Sequence, residues 1–353
     1  VKEHVGVKAV SFVEVGKLEM REAPRPSILE PTDVLLKITT TAICGSDLHV
    51  LEGRIPGMME GGILGHEFIG IVEEAGPDVR NFKPGDRALA SFLVPCGSCW
   101  FCDRRLFGQC QEAQVFGYGI FVGDLNGGQT EYVRVPRADM ALHHVSEKLS
   151  DEQALFAGDI LTTGFHVADI AGIKEGDTVA VVGCGPVGLM AVQAAMTFKP
   201  SQVFAIDTVD QRLELAQGFG AQPVDMRHRN AVVYCQDATE GRGVDVVLEC
   251  VGATAALVPT FDMVRPGGTV SVIGVHSDQE ASLPLQLMFN KGIDVRFGGI
   301  ANVPGRWDRV LELLENGDMH PESIISHRMK LDDAIQGYEL FRSREAMKVV
   351  LTP

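Results

Sequence analysis

Apolar and polar positions change texture along the chain. Residues 7 to 140 carry short apolar runs, Val34 to Ile38 and Ile69 to Glu73 among them, each broken within a few positions by Gly, Pro or Asp. Runs of that length bounded by turn residues predict a β-rich segment. From about residue 160 the apolar runs alternate with helix-length stretches: TVAVVG, a helix from Pro186, VFAID, a helix from Asp210, VDVVLEC and TVSVIG. That alternation predicts βαβ units in a doubly wound parallel sheet. Beyond residue 300, amphipathic helices are expected near Trp307 to Glu315 and Asp332 to Ser343, ahead of a terminal strand KVVL. The whole pattern predicts an α/β chain in which residues 1–159 and 300–353 form a β-rich domain and residues 160–299 a Rossmann domain. A late insertion of this kind is expected to leave a cleft between the two.

Length agrees with this division, since 353 residues exceed what one hydrophobic core usually serves. A 45% hydrophobic and 22% charged composition describes an ordinary globular protein. The formal net charge of −16 argues against nucleic acid and against an anionic membrane surface, because both attract Lys and Arg. Without an apolar run of about eighteen residues or a signal-like N-terminus, the chain is expected to be cytoplasmic.

The strand Thr178 to Val182 runs into Gly183-Cys184-Gly185-Pro186-Val187-Gly188, a GxGxxG that opens a helix. Asp207 ends the next strand, nineteen residues after Gly188. In this setting the motif reads as a dinucleotide site: Gly183 makes the tight turn, Gly185 admits a pyrophosphate, and Gly188 lets helix and strand pack. The helix N-terminus then faces the phosphates. Asp207 can accept hydrogen bonds from ribose hydroxyls and would repel a 2′-phosphate, so NAD is expected over NADP. Asp210 is the better candidate for capping the following helix, and Arg212 is expected to lie against the adenine or point to solvent.

Five of the eight cysteines sit at metal-ligand spacings. Cys96, Cys99, Cys102 and Cys110 form C-x2-C-x2-C-x7-C, which can close a tetrahedral zinc shell of structural type. Arg104 and Arg105 lie within that loop and read equally as offsetting its negative charge or as two solvated arginines. A second, dispersed set begins with Cys44-Gly-Ser-Asp-Leu-His49 and continues about twenty residues later with Gly65-His66-Glu67. A thiolate and an imidazole from separate segments can hold zinc with one position left for substrate. Taken singly, His66 is more often a core histidine and Cys44 a small buried hydrophobe.

Taken in order, the Cys44 and His66 motifs, Pro84-Gly85-Asp86-Arg87, the four-cysteine loop and the dinucleotide fingerprint resemble the zinc-containing alcohol dehydrogenases of the medium-chain dehydrogenase/reductase family. The resemblance implies a GroES-like fold for the β-rich domain and two zinc ions per chain. It implies Cys44 and His66 as catalytic zinc ligands, with Glu67 as an occasional or water-mediated partner. Asp159 stands where many relatives carry a cysteine and becomes the third ligand. A helix N-cap is its structural alternative, since a helix can start at Ile160. Ser46 would begin a proton relay that His49 finishes by way of the nicotinamide ribose, and Asp47 would orient His66. Thr163, Val251, Val275 and Ile300 fall where relatives contact nicotinamide, and Lys348 where a basic residue meets the pyrophosphate.

The activity so implied is reversible hydride transfer between an alcohol and NAD, giving an aldehyde or ketone. Asp159 also suits a formaldehyde or small-aldehyde dehydrogenase or dismutase, and a polyol dehydrogenase is a further alternative. A non-enzymatic NAD-binding protein of the same fold is the alternative from another class. A homodimer or homotetramer is expected, as in relatives.

Overall fold

A computed structural model describes residues 6–276, 278 and 280–353. The chain forms two compact units, one of Val1–Asp159 with Asn302–Pro353 and the other of Ile160–Ala301.

In the first unit, Val34–Ile43 is the long strand about which the others assemble. Its buried positions Val34, Leu36 and Ile38 pack with Phe68 and Val72 of Glu67–Ala75 in a shared core. The sheet runs His327–Lys330, Val349–Thr352, Val34–Ile43, Glu67–Ala75, Arg87–Ala90 and Leu142–His144, and Tyr132–Val135 also pairs with Val34–Ile43. Two registers matter for chemistry. Antiparallel pairing sets Ala42 opposite Glu67, so Cys44 and His66 emerge side by side from strands far apart in sequence. Val349 lies opposite Ile43, which brings Lys348 to the same end of the sheet. Between these segments stands a short helix, Gly45–Leu51, that the β-rich reading does not anticipate.

The second unit is a six-stranded sheet, parallel throughout: Gln222–Asp225, Gln202–Asp207, Thr178–Val182, Val244–Glu249, Val264–Val272 and Asp294–Phe297. Strand order reverses direction between Thr178–Val182 and Val244–Glu249, the position where doubly wound folds take ligands beyond the carboxyl ends of their strands. The alternating pattern therefore produces the doubly wound α/β sheet it predicts. Among the described residues, no helix is long and apolar enough to cross a membrane.

Candidate active site and metal centres

Cys44 caps the helix Gly45–Leu51, and its backbone amide donates to Asp47 Oδ2 at 2.9 Å. Register places His66 beside it. Asp159 arrives from outside the sheet, at the end of the short 3₁₀ turn Phe156–Gly158 and directly before the helix Ile160–Ala171. Asp159 Oδ2 lies 3.1 Å from His66 Nε2 and 3.7 Å from Cys44 Sγ. Zinc bonded at about 2.0–2.3 Å in a tetrahedron separates its ligand atoms by about 3.3–3.8 Å, so these three donors fit one ion. With Glu67 included, one ligand atom from each of the four residues lies within 4.8 Å of the others.

Ser46 Oγ stands at the edge of this set, 3.2 Å from His66 Nε2 and 3.4 Å from Cys44 Sγ. His49 follows on the same helix; burial and the Arg54 charge hold its imidazole below the usual pKa. Asp47 Oδ1 lies 3.1 Å from His66 Nδ1, on the far side of the ring, which sets a carboxylate against the imidazole without an aligned hydrogen bond. Asp47 is itself held: Gln129 Nε2 donates to its Oδ2 at 3.1 Å, and the Tyr338 hydroxyl donates to Gln129 Oε1 at 2.7 Å.

Glu67 and Lys348 are both fully buried and form an ion pair at 2.5 Å. Their geometry is not that of an aligned hydrogen bond, so both Glu67 oxygens stay without a hydrogen-bond donor. Burial raises the Glu67 carboxyl above its ordinary pKa, and the Lys348 charge opposes the rise. This corrects the expectation that Lys348 meets a pyrophosphate. The strand Val349–Thr352 pairs inside the sheet, and its preceding lysine is consumed by Glu67.

In the four-cysteine loop the sulfur atoms of Cys96 and Cys102, Cys99 and Cys102, and Cys99 and Cys110 lie 3.8, 3.6 and 3.9 Å apart. A zinc–sulfur bond of about 2.3 Å requires about 3.8 Å, so this set fits a closed shell. Hydrogen bonding from the Cys102 backbone leads in bringing the Cys99 thiol down to about 6, while burial pushes Cys102 up to about 12. The two arginines of the loop turn elsewhere. Arg104 stacks over Trp100 at 3.9 Å, and Arg105 pairs with Asp308 at 3.3 Å.

The dinucleotide loop lies in the second unit. Gly183 has φ +87°, and a Cβ on Gly188 would fall 1.8 Å from the Gly183 carbonyl oxygen, so both positions exclude a side chain. A Cβ on Gly185 would meet nothing within 4 Å, which leaves the backbone open to a close ligand. Pro186 and Val187 begin the helix Pro186–Thr197. Val251, Val275 and Ile300 are exposed apolar side chains, and Thr163 lies in the first turn of Ile160–Ala171.

Asp207 accepts from the Cys184 amide at 2.7 Å and from the amides of Thr208 and Val209 at 2.6 and 3.0 Å. It therefore secures both the glycine loop and the turn into the next helix. Asp210, expected to cap that helix, is instead its first residue and makes no capping bond; Val209 is the N-cap. Arg212 does not point away, because its guanidinium lies 3.6 Å from Asp207.

Residue patterns do not reveal Tyr118, whose ring meets His66 edge-on at 5.3 Å and whose hydroxyl interacts with Ser46. Its only signal is an aromatic between Gly117 and Gly119. Phe92, with its ring centre 6.4 Å from that of His66, leaves no signal at all, and neither do Gln129 and Tyr338.

A β-rich unit bearing two zinc-competent sets, joined to a doubly wound unit bearing a dinucleotide loop, defines a zinc-type dehydrogenase. Residues 30–146 match the alcohol dehydrogenase GroES-like domain and residues 186–316 the zinc-binding dehydrogenase family. Alcohol dehydrogenase TADH from Thermus sp. ATN1 superposes with a TM-score of 0.95 at 40% identity, over 98% of this chain and 99% of that one. The zinc-type alcohol dehydrogenase-like protein AdhB of Bacillus subtilis is 36% identical over 98% of this chain and all of its own length. A zinc-binding dehydrogenase from Sinorhizobium meliloti 1021, solved bound to NADP, has a TM-score of 0.87 at 30% identity, over 99% of both chains. The chain belongs to the zinc-dependent alcohol dehydrogenases of the medium-chain dehydrogenase/reductase family, and it is an oxidoreductase of that family.

Proposed function

We propose that this protein oxidises an alcohol to an aldehyde or ketone with NAD, and runs the reverse reaction, at the site built from Cys44, His66 and Asp159. The observation that carries this reading is the convergence of three zinc-ligating atoms with a hydroxyl, Ser46 Oγ, at their edge. Cys44, His66 and Asp159 would hold a zinc ion that would supply Lewis acidity to the substrate oxygen, and the glycine loop Gly183–Gly188 would hold the NAD that would supply the hydride acceptor. Ser46 Oγ takes the substrate hydroxyl proton and passes its own toward His49, which exchanges it with solvent. Asp47 keeps His66 Nε2 turned toward the ligand set, and Phe92 and Tyr118 present apolar surface beside it. The four cysteines hold a second zinc that has no open position for substrate.

Asp207 and its surroundings support NAD. Two arginines near it are engaged by carboxylates, Arg212 by Asp207 and Arg227 by Asp210 and Asp225, which leaves them less available to a 2′-phosphate. A homodimer or homotetramer accompanies this reading, supported by the edge strand Asp294–Phe297 and the exposed Phe289 and Phe297. Two measurements test the proposal together: zinc content, expected at two per chain, and turnover of a panel of alcohols, polyols and aldehydes with each cofactor. Protein that holds both zinc ions yet turns over no alcohol would refute the activity.

A further inference from the structure

The helix Val303–Glu315, with Asn302 at its N-cap, meets the four-cysteine loop at one end and the turn that precedes Asp159 further along. At its start the Asn302 side chain is clamped to the four-cysteine loop: Nδ2 donates to the Arg105 carbonyl at 2.7 Å and Oδ1 accepts from the Phe107 amide at 3.2 Å. Five residues on, the buried Trp307 indole Nε1 donates to the Ala157 carbonyl at 2.9 Å. Ala157 is the middle residue of the turn Phe156–Gly158, and Asp159 follows at once.

Asp159 needs such support more than its fellow ligands do. Cys44 and His66 adjoin strands paired to one another, so sheet hydrogen bonds fix their separation. Asp159 approaches from a turn outside the sheet. The Phe92 amide holds the Gly158 carbonyl at 3.0 Å. Trp307 supplies a second point one residue away.

We propose that Trp307 is the positioning residue for Asp159, and that the helix it rides on makes the four-cysteine loop a rigid support for the catalytic metal set. Trp307 contacts neither metal nor substrate; it acts through the Ala157 carbonyl. Zinc at the four cysteines then contributes to the second site as well as to folding, because it stiffens the loop that anchors Asn302.

The inference rests on zinc at the Cys44 set, and the wild-type holoenzyme tests that first. Chelator competition should resolve two zinc populations. Trp307→Phe keeps an aromatic ring but removes the donor and some buried volume, so its effect on zinc is read against its unfolding midpoint. It should weaken zinc at Cys44, His66 and Asp159 by about tenfold to a hundredfold, the range for loss of a supporting contact around a ligand, with the four-cysteine zinc unchanged. Cobalt placed in the site should show an altered visible spectrum. Asn302→Ala, two contacts further out, should shift affinity at the same site in the same direction. Asp308→Ala breaks only the exposed pair with Arg105 and should shift neither zinc. Wild-type protein without zinc at the Cys44 set would overturn the zinc reading and this inference together. Wild-type zinc content with unchanged affinity in both Trp307→Phe and Asn302→Ala would overturn the inference alone. So would parallel weakening of both sites in Trp307→Phe with a matching fall in unfolding midpoint, which would mark Trp307 as packing only.

Discussion

Ser46 Oγ lies 3.4 Å from the Cys44 thiol and 3.2 Å from the His66 imidazole, the place from which the proposed relay would take the substrate proton. Ser46→Ala should slow alcohol oxidation by about a hundredfold or more, the usual scale of positioned proton transfer, while zinc content stays constant. Steady-state rates and metal analysis on the same preparation check both halves, and an unaltered rate from pH 6 to 10 would exclude the relay. Lys348 makes a different kind of contribution. Its charge and that of Glu67 are fully buried, and each is tolerable only because of the other. Lys348→Met strands a carboxylate in the interior and should lower stability by about 3–5 kcal/mol. The double variant Lys348→Met with Glu67→Gln removes both charges and should recover most of that loss. Urea unfolding of the single and double variants measures it, and equal destabilisation in both would show that packing outweighs the pairing.

At the scale of elements, the two sheets are held differently. The antiparallel sheet of the first unit aligns ligands through register, whereas the parallel sheet of the second is tied across three strands by one carboxylate. Asp245, on Val244–Glu249, accepts from the Thr178 amide and hydroxyl at 2.8 Å each, from Arg242 at 2.8 Å and from Arg265 at 2.6 Å. Burial alone would raise its pKa, but the Arg265, Thr178 and Arg242 bonds prevail and hold it well below the ordinary 3.8. A carboxyl more acidic in the folded than in the unfolded chain stabilises fully above the unfolded value. That contribution disappears as pH falls through the folded value. Asp245→Asn should therefore cost stability at pH 7 and progressively less below 3.8. Denaturant midpoints of both proteins at pH 7 and pH 3 test this, and a gap that widens in acid would contradict it.

On the scale of the whole molecule, the proposed preference for NAD rests on charge gathered from several elements at the end of the parallel sheet. Asp207 secures the glycine loop through the Cys184 amide, so its removal would disturb the loop itself. Asp207→Asn is the cleaner change. It keeps the shape, removes the charge that repels a 2′-phosphate, and should raise the NADP-to-NAD ratio of kcat/KM by about tenfold or more. Wild-type protein that favours NADP would sink the NAD assignment. Much of this molecule was legible from residue order because its signals are local. The alternation of apolar runs predicts the doubly wound sheet, since strand and helix periods are properties of neighbouring residues. The GxGxxG turn and the four-cysteine loop each lie within fifteen residues, so their ligand groups are close before any tertiary contact forms. The dispersed set is of another kind. Residue chemistry suggests Cys44 and His66 as a pair, but only the resemblance adds Asp159, because nothing local says that Ala42 pairs with Glu67 or that the turn at Phe156 delivers Asp159 to the same point. The partners that hold these ligands, Gln129, Tyr338, Lys348 and Trp307, carry no motif, and Lys348 was misplaced for that reason. A hydrogen bond or buried charge pair between segments hundreds of residues apart depends on register and packing, and those exist only in the folded chain.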